Sequence, residues 1–452
     1  MPKTPIKEQR VEERIRNFEE VILGYGKEEA EKEALRCKEC GACISGCPLH
    51  VDIPSFIRNI KKGKFKEACE IILKTNPFPA ITGRVCPQET QCEARCILGV
   101  NDESVAIGKL ERFVAEFADS SPSPRTKTGK RVAIVGSGPS GLTCAIELTK
   151  KGHEVIVYES LHEAGGVLRY GIPSFRLPRN ILERELERLK KMGVKIECNK
   201  LVGLNPTFSQ LLEEFDAIYV ATGAGLPNLL HIPGENLNGV YSANEFLLRI
   251  NLMHANEFPH YDTPIKVGNK VAVIGGGNVA MDAARSALRL GAKEVTVVYR
   301  RSKSEMPARK EEIKHAEEEG IKFELLATPL AFHGDEKGWV KKIECVRMKL
   351  GEADTSGRRK PIPIQGSNFY IFVDSVIVAI GQSPNPLLPK NVENLKVDER
   401  GRVIVDENFK TSLKKVWAGG DITSGAATVI GAMAAGKKAA KSIHEYLNLK
   451  RL

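Results

Sequence analysis

Long apolar segments are missing from this sequence of 452 residues. No apolar run approaches the roughly 20 residues that a helix needs to span a bilayer. The first residues, Met1 to Val21, are charged and lack the apolar stretch of a signal peptide. We therefore expect a cytoplasmic protein that makes no membrane contact.

A basic stripe is missing as well. The net charge is +10, but lysines and arginines are scattered among acidic residues, and no basic block alternates with aromatic residues. Nucleic-acid binding therefore has no support. The positive charge leaves two interpretations open: a solvated surface of mixed charge, or a surface that attracts an acidic partner such as a ferredoxin or a partner subunit.

Cysteine, by contrast, is plentiful and clustered. Seven of the eleven cysteines form two tight groups, and the other four stand alone. Disulfides are rare in a reducing compartment, so the clustering indicates metal. The first group reads C-x2-C-x2-C-x3-C-P, the ferredoxin run in which the fourth cysteine binds a different cluster from the first three. A structural zinc site is the competing interpretation. The members of this group are Cys37, Cys40, Cys43 and Cys47.

The second group consists of Cys86, Cys92 and Cys96. Two four-iron clusters require eight ligands, so the seven grouped cysteines are one short. The missing ligand must come from elsewhere in the chain. Cys69 is one candidate, but it lies in FKEACEIILK, where a helical period could bury it as a small apolar side chain.

The pattern after residue 130 changes from charged helical stretches to alternating strands and helices. The short β-branched runs VAIV and VAVI each precede a helical segment and then a second strand. This alternation predicts parallel sheets covered by helices. We expect an α/β protein with two Rossmann-like dinucleotide-binding domains that follow an all-α N-terminal domain.

The first glycine-rich turn, VAIVGSGPSG, follows a predicted strand and opens a predicted helix. Its three glycines allow a tight turn, close approach of a pyrophosphate, and close helix packing, while free N–H groups hold the phosphates. The next strand ends in a glutamate that is placed to accept hydrogen bonds from ribose hydroxyls. The residues expected to bind a dinucleotide here are Gly136, Gly138, Pro139, Ser140, Gly141 and Glu159.

Two later segments indicate that this dinucleotide is FAD. The segment Ala221-Thr222-Gly223 resembles the passage between domains in two-dinucleotide flavoprotein reductases. VWAGGD resembles the segment of that superfamily whose aspartate, here Asp421 after Gly420, contacts the ribityl chain of the flavin. A helix predicted from about Ala427 would direct its positive end at the flavin ring. These two segments flank the second glycine-rich turn, so the FAD domain must be discontinuous.

The second glycine-rich turn, VAVIGGGNVAMDAA, is a GxGxxA variant. The strand after it ends in two arginines instead of a carboxylate. A carboxylate would repel a 2′-phosphate, whereas guanidinium groups bind one, so the site should prefer NADPH to NADH. A further arginine, Arg309, is a third candidate for a phosphate contact. The residues expected to bind NADP(H) are Gly275, Gly277, Asn278, Val279, Ala280, Arg300, Arg301, Arg309 and Gly381.

The predicted domain boundaries follow from the positions of these motifs. Residues 1–118 form the helical cluster domain, and residues 119–130, which are rich in Ser and Pro, form a linker. The FAD domain comprises residues 131–260 and 371–452. The NADP(H) domain, residues 261–370, is inserted between them.

No CxxC accompanies either glycine-rich turn, which argues against a disulfide reductase of the thioredoxin-reductase kind. Hydride transfer moves two electrons, whereas iron–sulfur centres accept one at a time. A flavin placed between NADP(H) and two clusters would convert one mode into the other. The sequence therefore predicts an NADPH-dependent flavin and iron–sulfur oxidoreductase.

Taken together, the cysteine segments CKECGACISGCPLHVDIPSFI and CPQETQCEARC, the segment GGVLRYGIPSFRLP, both turns and VWAGGD resemble one family. It includes the small subunit of NADPH-dependent glutamate synthase and the large subunit of NADH-dependent reduced-ferredoxin:NADP oxidoreductase. The N-terminal half of dihydropyrimidine dehydrogenase is similar. The resemblance implies an adrenodoxin-reductase-like pair of nucleotide domains, FAD, NADP(H) and two 4Fe-4S clusters.

The resemblance also implies individual residue roles. A non-cysteine cluster ligand is expected at Glu111, with Arg176, Gly165 and Gly166 contacting FAD. Replacing Glu111 with alanine would distinguish it from Cys69. The implied ligand sets are Cys37, Cys40, Cys43 and Cys96 for one cluster, and Cys47, Cys86, Cys92 and Glu111 for the other.

Three functions stay open, of which the resemblance implies the first two. The first is the NADPH-oxidising small subunit of glutamate synthase, and the second is the large subunit of an electron-bifurcating ferredoxin:NADP oxidoreductase. The third is a cluster-bearing scaffold without turnover. The sequence has no glutamine amidotransferase segment and no additional flavin barrel, so the first function requires a glutamate synthase large subunit. The second would pair with a small subunit that carries flavin and a 2Fe-2S centre.

Overall fold

The computed structural model describes residues 2–118, 126–354 and 357–449. The N-terminal domain is built from short helices, as its charged and cysteine-rich sequence predicts, with one additional antiparallel ribbon. Asp52 caps the third helix through the Ser55 N–H, at 3.3 Å. The ribbon consists of β1 (Lys7–Glu8) and β2 (Ile22–Gly24), and the helices are α1 (Val11–Arg14), α2 (Lys27–Leu35), α3 (Ile53–Lys61), α4 (Phe65–Leu73), α5 (Pro79–Val85) and α6 (Ile107–Val114).

The first dinucleotide-binding domain begins after the predicted linker, of which residues 119–125 lie outside the described residues. Its elements up to residue 227 are β3 (Arg131–Val135), α7 (Pro139–Thr149), β4 (Glu154–Tyr158), α8 (Val167–Tyr170), α9 (Arg179–Lys191), β5 (Lys195–Glu197), α10 (Phe208–Glu214), β6 (Ala217–Val220) and β7 (Leu226–Pro227).

The second dinucleotide-binding domain follows directly. Its elements are β8 (Val240–Ser242), α11 (Ala243–Asn251), β9 (Lys270–Ile274), α12 (Asn278–Arg289), β10 (Glu294–Tyr299), α13 (Lys310–Glu318), β11 (Lys322–Leu325), β12 (Ala327–Gly334), β13 (Val340–Ala353), β14 (Arg359–Phe372) and β15 (Ser375–Val378). The chain then returns through β16 (Gln382–Ser383), α14 (Leu387–Lys390), β17 (Val416–Ala418), α15 (Asp421–Ser424) and α16 (Val429–Leu449).

Each domain has a parallel five-stranded sheet, which confirms the predicted α/β class. The first sheet has the order β17-β6-β3-β4-β5, and the second has the order β11-β10-β9-β15-β8. The late strand β17 pairs with β6, and α16 packs against α7, so the C-terminal segment completes the first domain. The chain crosses between the two domains twice, and the two connecting segments pair with each other through the antiparallel strands β7 and β16.

The domain boundaries differ from those predicted from the motifs. β8 lies before residue 261 and β15 lies after residue 370, yet both belong to the second sheet, where β15 pairs with β8 and β9. The inserted domain therefore extends beyond residues 261–370 on both sides. Strand pairing is a long-range property, and the short runs at Val240 and Ser375 carry no local signal of the sheet that they join.

An antiparallel sheet of β12, β13 and β14 was not predicted and lies within the second domain. Its inner residues, among them Phe332, Ile343 and Val340, share a buried cluster with Val376 of the parallel sheet. Hydrophobic burial therefore attaches this three-stranded layer to the parallel sheet. No helix among the described residues has both the length and the apolar character needed to cross a membrane.

Candidate functional site

A cavity of about 500 Å³ lies where the two parallel sheets face each other. Both glycine-rich turns, both connecting segments and the start of α16 contribute to its wall. Most predicted FAD residues line it: Gly136, Gly138, Pro139, Ser140, Glu159, Gly166, Arg176, Ala221, Thr222, Gly223, Gly420 and Asp421. From the NADP(H) set, it is lined by Asn278, Val279 and Gly381.

The first turn has the backbone geometry of a phosphate-binding loop. Gly136 has a φ of +105°, and a Cβ there would lie 2.4 Å from the Ala221 carbonyl oxygen. A Cβ on Gly141 would lie 2.0 Å from the Gly136 oxygen, so the helix packs directly on the turn. A Cβ on Gly138 would meet no protein atom within 4 Å, because this position faces the cavity. The turn therefore leaves its backbone open to a pyrophosphate.

The carboxylate of Glu159 is held rigidly at the end of β4. It accepts hydrogen bonds from the Ser137 N–H at 3.0 Å and the Leu161 N–H at 2.9 Å, and from the Ser137 hydroxyl. The side chain is buried at the edge of the cavity. A carboxylate oxygen accepts more than one hydrogen bond, so Glu159 retains capacity for ribose hydroxyls.

Asp421 also lines the cavity, directly after Gly420. Burial raises the pKa of its carboxyl to about 6. The helix predicted from about Ala427 begins as α16 at Val429, and Ala427 and Val429 both line the cavity. The start of a helix carries a partial positive charge, which favours an anionic group in this part of the cavity.

The loop before α8 closes the cavity over the first turn. Gly166 has a φ of +54°, and a Cβ on it would lie 2.7 Å from the Gly138 Cα. The Gly165 N–H donates to the Ser137 hydroxyl at 2.9 Å, so Gly165 supports the turn without lining the cavity. Arg176 lines the cavity, and its guanidinium is paired with Asp282 of α12 at 2.7 Å and Glu312 of α13 at 2.9 Å.

The second turn repeats the geometry of the first. Gly275 has a φ of +145°, and a Cβ there would lie 2.3 Å from the Ala379 oxygen. The first residues of α12, Asn278 and Val279, line the cavity, whereas Ala280 is fully buried beneath the turn. The start of α12 can therefore hold the phosphates of a second dinucleotide.

The three arginines predicted to contact the 2′-phosphate have different environments. Arg300 is exposed at the end of β10. Arg301 is buried, pairs with Asp354 at 2.6 Å and donates to the Arg359 carbonyl at 2.7 Å. Arg309 is also buried, and its guanidinium contacts the cluster domain. Of the three, only Arg300 is exposed, whereas protein groups engage the guanidinium groups of Arg301 and Arg309. The phosphate contacts of all three stay predictions.

The first set of predicted cluster ligands surrounds a small cavity of the N-terminal domain. It is lined by Cys37, Cys40, Cys43 and Cys96. Cys40 is exposed, and burial together with the neighbouring Cys37 and Cys40 thiols raises the pKa of Cys43 to about 12. The four thiols line one small cavity, and their role as ligands of one cluster stays a prediction.

The second set lies deeper in the protein. Burial, followed by the nearby Glu111 carboxylate and Cys47, raises the pKa of Cys86. Burial, followed by the nearby Glu93 and Glu111 carboxylates, also raises the pKa of Cys92. Glu111 itself is buried, receives hydrogen bonds from Asn76 at 2.8 Å and from the Thr82 hydroxyl, and has its pKa raised by burial to about 7. The carboxyl group of Glu111 is therefore an electrostatic neighbour of Cys47, Cys86 and Cys92, and the assignment of these four side chains to one cluster stays a prediction.

Cys69 lies apart from both sets. It is fully buried on α4, and the charged side chains that shift its pKa after burial are headed by Glu185 and Arg188 of α9. Its surroundings are those of a small apolar core residue.

Several cavity residues carried no sequence signal. Val85 and Pro87, on either side of Cys86, line the cofactor cavity. Asp282, Tyr170 and Asn244 line it as well, from helices α12, α8 and α11, and none of the three was predicted as a site residue. One pattern could have indicated Asp282. It lies four residues after Asn278 on α12, so both side chains are on the same face of the helix, towards the cavity.

Comparisons with known proteins agree with this arrangement. The sequence model of the pyridine nucleotide-disulphide oxidoreductase family matches residues 130–436. The model of domain II of dihydropyrimidine dehydrogenase, described with a 4Fe-4S cluster, matches residues 14–122. The Mycobacterium tuberculosis protein FprA, solved in complex with NADPH, shares the fold with a TM-score of 0.60 at 22% identity, over 71% of this chain and 85% of FprA.

Two curated relatives match almost the whole chain. The glutamate synthase [NADPH] small chain of Escherichia coli K12 is 35% identical over 461 residues, covering 99% of this chain and 97% of that protein. The NADP(+)-dependent formate dehydrogenase subunit beta of Moorella thermoacetica is 41% identical over 435 residues. This alignment covers 90% of the chain but 60% of that subunit, so the chain spans less than two thirds of its length.

Proposed function

We propose that this chain, which belongs to the pyridine nucleotide-disulphide oxidoreductase family and to the group that includes glutamate synthase small chains, is the NADPH-oxidising subunit of a larger enzyme. The family makes it an NADPH-dependent FAD oxidoreductase with a 4Fe-4S domain. Electrons pass from NADPH to FAD, then to two clusters, and then to a second redox subunit.

One observation carries the proposal. Val85 and Pro87, which flank Cys86, line the same cavity as Gly138 of the first turn and Asn278 of the second. The nucleotide site, the flavin site and one proposed cluster site are therefore contiguous. A chain that used its clusters only as structural elements would have no need for this contact.

The protein supplies binding and orientation at each site. The first turn and α7 hold the FAD pyrophosphate, Glu159 binds a ribose, and Asp421 lies where the ribityl chain is expected. Asn278 and Val279 orient the nicotinamide nucleotide, and Arg300 selects the 2′-phosphate. When bound, FAD takes up two electrons as a hydride and delivers them singly, the mode that 4Fe-4S clusters accept.

Two sets of cluster ligands are proposed, supported by the cavity that four thiols line and by the buried Glu111 beside three further thiols. Cys37, Cys40, Cys43 and Cys96 would hold the outer cluster, near the surface at Cys40. The inner cluster, beside the cofactor cavity, would be held by Cys47, Cys86, Cys92 and Glu111.

The partner is proposed to be a glutamate synthase large subunit, because relatives named as its small chain match over nearly their full length. The 41% identity to a formate dehydrogenase subunit favours a second candidate, an electron-transfer subunit of another NADP-dependent assembly. The ferredoxin:NADP oxidoreductase expected from the resemblance, with its flavin and 2Fe-2S subunit or with ferredoxin, belongs to this second class.

Anaerobic reduction and reconstitution test the proposal. The purified chain, loaded with FAD and clusters, is mixed with NADPH and then with a glutamate synthase large subunit, glutamine and 2-oxoglutarate. We expect the flavin absorbance to bleach and glutamate to form at the expense of NADPH. Bleaching without glutamate, together with reduction of added ferredoxin, would favour the second candidate. A flavin that fails to bleach would contradict both.

A further inference from the structure

The first turn of α13 joins the nucleotide domain to the cluster domain. Arg309 lies immediately before Lys310, the first residue of this helix, and its backbone N–H donates to the Asn278 side-chain oxygen at 2.9 Å. Asn278 begins α12 and lines the cofactor cavity. The backbone of Arg309 is therefore anchored to the nucleotide-binding turn.

The side chain of Arg309 extends in the opposite direction, into the cluster domain. Its guanidinium donates to the Arg84 carbonyl at 3.1 Å and to the Gln88 side-chain oxygen at 3.0 Å. These two acceptors lie two residues before and two residues after Cys86. Arg309 thus clamps the segment that presents Cys86, using the fixed donor geometry of a guanidinium.

The positive charge of Arg309 also lies close to the segment that contains Cys86. Arg309 is buried, and its guanidinium lies within hydrogen-bond distance of groups two residues before and two residues after Cys86. Glu311, on the same helical turn, pairs with Arg309 at 2.9 Å and with Lys109 at 2.7 Å. Lys109 lies two residues before Glu111. Two charges of opposite sign on one helical turn therefore stand beside the proposed inner ligand set.

Elementary electrostatics predicts the consequence. A cluster that accepts an electron becomes more negative, so a nearby buried cation stabilises its reduced form and an anion destabilises it. Both effects are weakly screened because Arg309 is buried and Glu311 is largely shielded from water.

We infer that Arg309 is a positioning residue for the inner cluster: it fixes the Cys86 segment against the nucleotide domain and raises the reduction potential of the cluster held there. This inference rests on the proposed ligand set and replaces the prediction that Arg309 binds the 2′-phosphate. Glu311 acts in the opposite direction on the same centre.

The test is a redox titration with dithionite and mediators, followed by EPR, on the full chain with its clusters. In Arg309→Gln we expect one of the two clusters to shift to a more negative potential while the other is unchanged. Arg309→Lys keeps the charge and should restore most of the wild-type potential. Glu311→Gln should shift the same cluster to a more positive potential.

A matched control is available one residue away. Lys310 is exposed on the same turn, so Lys310→Gln removes an equal charge that water screens, and it should leave both potentials unchanged. Equal shifts in Lys310→Gln and Arg309→Gln, or no shift in Arg309→Gln with full iron content, would overturn the inference. If the Arg309→Gln variant loses its iron, the Glu311→Gln variant provides the test instead. A cluster potential that does not become more positive in Glu311→Gln would then overturn the inference.

A failure of the proposed function can be distinguished from a failure of this inference. The titration uses dithionite, so it reports the potentials even if NADPH fails to reduce the protein. A wild-type protein with two clusters that NADPH does not reduce contradicts the proposed function while leaving the role of Arg309 measurable. Wild-type protein that binds no iron after reconstitution contradicts the ligand sets, and the inference falls with them.

Discussion

The guanidinium of Arg176 and the carboxylate of Asp282 form a buried ion pair, 2.7 Å apart, across the junction of the two dinucleotide-binding domains. Arg176 follows α8 in the FAD domain, and Asp282 lies on α12 in the nucleotide domain. Glu312 forms an ion pair with the same guanidinium and another with Arg285. This pair fixes the relative position of the two domains at the wall of the cofactor cavity.

Arg176→Met should destabilise the protein strongly. It leaves Asp282 and Glu312 buried near each other with one fewer cation, a loss that typically costs about 3–5 kcal/mol. The midpoint of urea unfolding would measure it. Arg184→Met is the matched control, because Arg184 pairs with Glu116 at the surface, where a pair contributes about 0–1 kcal/mol. A loss in Arg176→Met no larger than in the control would contradict the junction role.

Gly138→Val and Gly141→Ala should separate cofactor binding from folding. A side chain at Gly138 would enter the cavity, so we expect normal unfolding of the apoprotein and lost FAD affinity. At Gly141 an added methyl meets the Gly136 oxygen, so the apoprotein itself should be destabilised, by about 1–3 kcal/mol. Fluorescence titration with FAD and urea unfolding give the two readouts. Normal FAD affinity in Gly138→Val would exclude the pyrophosphate site.

Arg300→Ser should impair the use of NADPH selectively. A hydrogen bond from a charged group contributes about 1.5–3 kcal/mol, so the KM for NADPH should rise roughly 10- to 100-fold while that for NADH stays the same. Steady-state reduction of an artificial acceptor measures both constants. Lys303→Ser, which removes an exposed charge three residues further on, should change neither. Equal increases for the two nucleotides in Arg300→Ser would contradict the assignment.

Glu111→Ala and Cys69→Ala should distinguish the two candidates for the eighth ligand. Glu111 lies with Cys47, Cys86 and Cys92, so its loss should alter the EPR signal and lower the iron content of one cluster. Cys69 is buried beside α9, and Cys69→Ala should keep full iron content and wild-type spectra. Unchanged iron and spectra in Glu111→Ala would return Cys69 to consideration.

Acid should remove a defined contribution to stability at Glu319. Burial alone would raise the pKa of this carboxyl, but hydrogen bonds and charges from Arg289 and Arg285 lower it to about 2. A lowered carboxyl pKa stabilises the fold above the unfolded value of 4.5, and this contribution is lost as the pH falls towards 2.

Glu319→Gln tests that contribution directly. At neutral pH it leaves buried arginines without their carboxylate, at a cost of about 3–5 kcal/mol. Protonated glutamate resembles glutamine. The difference in the free energy of unfolding between Glu319→Gln and the wild type should therefore shrink as the pH falls from about pH 4.5 to about pH 3. Urea midpoints across this range measure it, and a difference that does not change with pH would contradict the ion pairing.

The presence of two nucleotide domains and of a 4Fe-4S domain was predictable because each signal is local. A glycine with positive φ, such as Gly136 or Gly275, and a following helix N-terminus act within ten residues. The strand partners of Val240–Ser242 and Ser375–Val378 were not predictable, because a three- or four-residue strand does not specify which sheet it joins.

The roles of the arginines show the same limit. In the sequence, Arg300 and Arg301 end the strand after the second fingerprint, and Arg309 was a third candidate for the phosphate. Tertiary structure separates them: Asp354 engages Arg301, and Arg84 and Gln88 engage Arg309, whereas Arg300 is exposed.

The sequence by itself determined the cofactor chemistry of this protein. Glycine turns and cysteine spacings bind phosphates and iron through backbone and thiol groups that lie within a short stretch of chain. Only the tertiary structure decided which charges meet, which domain each short strand joins, and which cysteine segment borders the flavin cavity. These outcomes depend on contacts between residues hundreds of positions apart, such as Arg84 and Arg309, and on the burial that makes each contact strong or weak.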